Sequence, residues 1–192
     1  MPDQPQLDPG ETQGSLTALL HALIAATCLV LAVCAASGAR AQSPTLPELP
    51  AAIKPGDLEP YLAVAAKGVQ IYVCGKTDAG AWSWSFTAPQ AELTDGSGRP
   101  LGKHYAGPTW EGNDGGKVVG SVKASAPAPT AHAIAWLWLD VKAREGSGAF
   151  TQATGILRVA TIGGTAPASG CDEARSGSEL RVPYRATYFF LR

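Results

Sequence analysis

The chain has 192 residues and a formal charge of −1. With no Lys/Arg cluster or stripe, that balance argues against nucleic acid as a partner, because phosphate binding needs concentrated positive charge. Its 22 Gly and 15 Pro are scattered, which predicts many turns rather than a low-complexity segment.

Residues 1–41 read as an export signal. An apolar run from Leu16 to Ala36 precedes Ala39-Arg40-Ala41, a small-x-small cleavage pattern, and then Gln42-Ser43-Pro44. The start is atypical, because residues 1–15 hold Asp3, Asp8 and Glu11 and no Lys or Arg. A retained anchor is the alternative, since Leu16–Gly38 spans 23 residues, enough for a bilayer core of about 30 Å. Membrane contact is expected only through residues 16–38, and only if the leader stays attached. Cys34 follows Leu31-Ala32-Val33, and the bulky Val33 argues against lipidation there. Cleavage leaves about 150 residues, which suits one domain. The predicted compartment is secreted or periplasmic.

Residues 42–57 carry Pro44, Pro47, Pro50 and Pro55 and read as a linker or extended arm. A single β-rich domain is expected over 58–192. Asp57–Lys67 fits either a short capped helix or a strand. From Gly68 strands follow one another. Val69, Ile71 and Val73 alternate with Gln70, Tyr72 and Cys74, and after a turn Trp82, Trp84 and Phe86 alternate with Ser83, Ser85 and Thr87. The two runs predict a hairpin, with Trp82 and Trp84 on the core side and the serines on the wet side. Asp95-Gly96-Ser97-Gly98 is a turn. Gly102–Trp110 is short and irregular. Asn113-Asp114-Gly115-Gly116 leads into a Val-rich strand over 117–123. Ile134–Val141 is apolar on both faces and predicts a strand buried on both sides, where Trp136 and Trp138 fill the core. Strands over 155–162 and 182–191 complete the set. The fold expected is all-β, an antiparallel β-sandwich or barrel of about eight or nine short strands.

Cys28 and Cys34 lie in the leader. Cys74 and Cys171 remain, and two such thiols in an oxidising compartment read as one structural disulfide.

The densest polar and aromatic patch is His104, Tyr105, Trp110, Glu111 and Asp114. These are the candidate binding residues. Tyr105 and Trp110 suit a stacking platform for a sugar or another ring, although Trp110 reads better as core. His104 with Glu111 or Asp114 suits acid–base or metal-assisted hydrolysis. The only other histidine beyond the leader is His132, so a multi-histidine site is not assembled and no metal or cofactor is expected. No G-x-S-x-G elbow is present, and Gly163-Gly164 does not run into a helix, so neither a serine nucleophile nor a phosphate cradle is supported.

Gly68–Leu191 resembles the domain of unknown function 3455 family of secreted bacterial and fungal proteins. The likeness rests on Gly68-Val69-Gln70-Ile71-Tyr72-Val73-Cys74, Trp84–Phe86 with Pro89-Gln90-Ala91, the segment from His104 to Glu111, Trp136-Leu137, Gly163-Gly164 with Cys171, and Val182-Pro183-Tyr184. It implies export and the Cys74–Cys171 tie, and no activity. The leading functional expectation is a non-catalytic module that binds carbohydrate, a surface polymer or a small ligand. The alternatives are an extracellular hydrolase or metal-dependent enzyme, and a structural envelope protein.

Overall fold

The computed structural model describes residues 43–192. The expected leader, with Leu16–Gly38, Cys28 and Cys34, lies outside the described residues. Eight antiparallel strands, each paired with its chain neighbour, form a closed barrel in which β8 returns to β1. They are β1 (Pro60–Lys76), β2 (Trp82–Thr94), β3 (Pro100–Tyr105), β4 (Thr109–Gly112), β5 (Lys117–Ala126), β6 (Trp136–Glu145), β7 (Gly155–Gly163) and β8 (Glu179–Leu191). Of the two architectures expected, it is the barrel that forms. Closure leaves no unpaired sheet edge. Among the described residues the only helical elements are three-residue 3-10 turns.

Of the ambiguous segment Asp57–Lys67, the part from Pro60 is strand, continuous with the run after it. At Gly68 a Cβ would fall 2.0 Å from the Gln90 carbonyl oxygen. Strands β1 and β2 meet so closely there that only glycine fits. The irregular stretch 102–110 proves to be a hairpin. His104 pairs with Trp110 and Lys103 with Glu111. Its alternation is hard to see because the inward residues include a glycine and a histidine rather than a row of aliphatics.

Each strand sends alternate residues inward. One half of the interior is filled by Val64, Leu93, Val118, Ile156, Phe150 and Phe190. Phe150, from a 3-10 turn between β6 and β7, stacks on Phe190 at 4.6 Å. A second cluster lies on the outside of the wall. There Trp136, Trp138, Leu157, Val159, Phe189 and Leu191 pack with Ile53, which is fully buried, and with Leu46, Leu49 and Leu58. The Pro-rich stretch therefore lies along β6, β7 and β8 and covers an apolar outer face. This is why β6 is apolar on both sides, with Leu139 facing the lumen and Trp138 facing the arm.

Cys74, near the end of β1, is disulfide-bonded to Cys171 with Cα atoms 5.4 Å apart. The bond ties the β1–β2 hairpin to the segment before β8. Trp84 Nε1 adds to the tie by donating to the Ser169 carbonyl at 3.1 Å. Trp82 and Trp84 are only half-buried, and Phe86 is 54% exposed. Trp84 pairs with the inward Cys74 and Phe86 with the inward Tyr72, so Trp82 and Trp84 stand on the lumen side as expected. The expectation that they are core residues is corrected, because their hairpin runs past the packed part of the barrel and has little beneath it to bury them.

Candidate functional site

The inward face of β1 at this end of the barrel is Gln70, Tyr72 and Cys74, all buried, while Val69, Ile71 and Val73 are only partly covered outside. This inverts the ordinary apolar-in pattern and makes half of the lumen polar. Tyr72 donates to the Gly164 carbonyl at 2.7 Å, Thr161 to the Ile134 carbonyl at 2.6 Å, and the Tyr184 and Tyr188 hydroxyls lie 3.5 Å apart. Burial raises the pKa of both Tyr184 and Tyr188, so the two remain phenols.

The patch from His104 to Asp114 is divided by the barrel wall. His104 and Trp110 point inward and are 2% and 1% exposed. Their rings stack at 4.4 Å, and both contact Tyr188, at 5.0 and 5.2 Å. His104 Nδ1 lies 2.8 Å from the Thr109 carbonyl oxygen, so Nδ1 carries the proton and Nε2 keeps a lone pair. Burial pushes the imidazole down to about 3, against the Thr109 bond and helped by the nearby Arg158 charge, so the ring is neutral at physiological pH.

Tyr105 and Glu111 point the other way. The Tyr105 hydroxyl donates to Glu111 Oε2 at 2.5 Å, and Lys103 Nζ lies 3.2 Å from Glu111 Oε1. The Tyr105 bond, with Lys103, holds the Glu111 carboxyl below its ordinary range. His104 and Glu111 thus do not converge. Asp114 is occupied in the β4–β5 turn, where Oδ1 accepts from Gly116 N at 3.1 Å and Oδ2 from Ala149 N at 2.7 Å. Those bonds pin the turn to the β6–β7 loop. Among the described residues no three His, Cys, Asp or Glu side chains gather as a metal-holding group.

His104 and Trp110 instead line a cavity of about 290 Å³ at the mouth of the barrel, with Tyr188, Leu139 and Arg158. Phe86 and Val122, each 54% exposed, also line it. Together with Ile162 they are the large hydrophobics left exposed among the described residues. Arg158 donates through Nε and Nη2 to the Ala135 carbonyl, at 3.1 and 2.9 Å. Among the described residues the side-chain N–H groups of Gln70, Trp110 and, beneath the arm, Trp136 are buried without an acceptor. A larger groove of about 970 Å³ runs over β1, β7 and β8. Its charged residues, Lys67, Glu92 and Arg185, are exposed, so they are solvated rather than convergent.

Sequence reasoning missed Arg158, Tyr188, Phe86 and Val122 as site residues. One signal was available: Arg158 interrupts the apolar run Ile156–Val159, at the same parity as the inward Ile156.

The family Protein of unknown function (DUF3455) matches residues 55–192. This chain belongs to that family. The match extends from the last prolines of the arm through all eight strands of the barrel. No curated protein and no solved structure matches the chain.

Proposed function

We propose that this DUF3455 protein is an exported, non-catalytic binding module that receives a small molecule in the mouth of its barrel. The observation that carries the reading is the cavity between Trp110, Tyr188 and the exposed Phe86 and Val122. Its volume, about 290 Å³, sits at the small end of ligand pockets. Eight-stranded barrels are wide enough to hold one small ligand in the lumen. An apolar body with a few inward polar groups is the ordinary chemistry of such a site. Export is supported by the Ala39-Arg40-Ala41 pattern and by the disulfide between Cys74 and Cys171. The opposed directions of His104 and Glu111 favour binding over acid–base hydrolysis, which needs both groups within reach of one substrate. Outward Tyr105, held to Glu111 and beside Lys103, belongs to the barrel surface in this reading.

The test is thermal denaturation of the full chain with a panel of small aromatic and aliphatic compounds and soluble oligosaccharides. A saturable rise in Tm with a small compound, lost in Val122→Trp, is the expected result. Binding of oligosaccharide alone, unchanged in Val122→Trp and removed by Tyr105→Ala, would contradict it.

A further inference from the structure

We propose that the ligand is an organic carboxylate, its acid group paired with Arg158 inside the barrel and its apolar body lying between Trp110 and the rim residues Phe86 and Val122. This deepens the lumen-binding reading and rests on it. Along β7, Ile156 packs inside while Leu157 and Val159 pack outside beneath the arm. Arg158 shares the parity of Ile156 and lines the cavity. Arg158 is half-buried. A cation partly withdrawn from water gains from a paired anion, and a guanidinium does not escape the cost of burial by losing its proton. Among the described residues no Asp or Glu lies within ion-pair distance of Arg158, and none lines the cavity. The Ala135 carbonyl takes Nε and Nη2, and the Tyr188 hydroxyl is a further hydrogen-bond partner. The guanidinium therefore has neutral partners among the described residues and no anion, and with five N–H donors it has capacity for one more acceptor.

The surrounding groups sharpen the choice of ligand. The Trp110 N–H is a buried donor without an acceptor among the described residues, and the Tyr188 hydroxyl is a further polar group in the lining. His104, the other titratable ring there, is neutral, so Arg158 supplies the positive charge of the cavity. Donors and one cation below an apolar rim fit a molecule with an anionic acceptor at one end and a hydrophobic body at the other. Arg is suited to hold a planar carboxylate by two parallel bonds.

The test uses matched probes in calorimetric titrations of the full chain. The pairs are 2-naphthoate with 2-naphthalenemethanol and benzoate with benzyl alcohol. The expected result is that at least one acid binds tenfold or more tightly than its alcohol. Arg158→Gln removes that preference while leaving the alcohol bound, and Arg158→Lys keeps part of it. Equal affinity for acid and alcohol in the wild type, or a preference that survives in Arg158→Gln, overturns the carboxylate proposal and leaves the lumen reading standing. If no member of either pair binds, the lumen reading fails and this proposal with it. Should Arg158→Gln not fold, as judged by far-UV circular dichroism, the wild-type comparison and Arg158→Lys decide: an unchanged acid-to-alcohol ratio in Arg158→Lys counts against a fork-like grip.

Discussion

His104 shows how a residue that looks chemical can be held in one protonation state by its surroundings. It is buried between Trp110 and Tyr188 with Nδ1 against the Thr109 carbonyl. Its folded pKa, about 3, lies below the ordinary value of about 6.5 in the unfolded chain. Between those two values the unfolded chain binds the extra proton and the folded one does not, so stability falls as pH is lowered from about 6.5 towards 3. The slope from this one group approaches ~1.4 kcal/mol per pH unit. Urea unfolding from pH 4 to pH 7 is expected to show that slope in the wild type and a shallower one in His104→Gln. Ala160 offers a second residue-scale check. It sits in the left-handed region at φ 49°, in the bulge between Val159 and Ile162. Ala160→Gly is expected to raise stability by ~1 kcal/mol, because the Cβ penalty there outweighs the entropy that glycine loses.

At the scale of elements, the arm and the hairpin behave in opposite ways. The stretch over residues 42–57 looks like a linker by composition, yet its apolar residues at positions 46, 49 and 53, with Leu58 just after it, match the bare outer faces of β6, β7 and β8. Ile53→Ala should therefore behave as a core substitution. A loss of about 3 kcal/mol is expected, seen as a fall in Tm of about 10 °C. A loss within about 0.5 kcal/mol, the ordinary range for surface positions, would show that the arm contributes little. The same comparison explains what could be read from the residues alone. The β1–β2 hairpin was legible because its period-two pattern and turn are local. The β3–β4 hairpin was not, because Gly102, His104 and Trp110 do not form an apolar row. The side on which Trp82 and Trp84 stand is legible from the alternation, but their half-burial is not, because it depends on what distant strands place beneath the hairpin. Part of the interior is Gln70, Tyr72 and Tyr184, with Arg158 half-buried beside the cavity, and part of the exterior is coated by the arm, so apolar-in, polar-out does not hold throughout. The patch from His104 to Glu111 was visible as composition, but adjacent residues on a strand face opposite sides, and the partners that complete the cavity come from distant strands.

For the whole molecule, closure and the disulfide set the stability of the mouth. The Cys74–Cys171 bond spans 97 positions of sequence. Chain-entropy reasoning gives about 4–5 kcal/mol for a loop of that size, an upper figure. The double variant Cys74→Ser, Cys171→Ser is expected to lose several kcal/mol in denaturant unfolding, and faster amide exchange should appear first in the far ends of β1 and β2. Uniform loss across the barrel would show that the bond acts on the unfolded chain alone.

The central claim is that the cavity at the mouth of the barrel, between Trp110, Tyr188 and Arg158, is a ligand site. The most direct measurement is the set of Trp indole N–H resonances in a nitrogen-15-labelled full chain titrated in turn with 2-naphthoate, benzoate and their two alcohols. The account predicts a saturable shift of Trp110, inside the barrel, while Trp136 and Trp138 beneath the arm stay in place. Shifts of the arm-covered pair with Trp110 unmoved, or no saturable shift with any of the four probes, would contradict it.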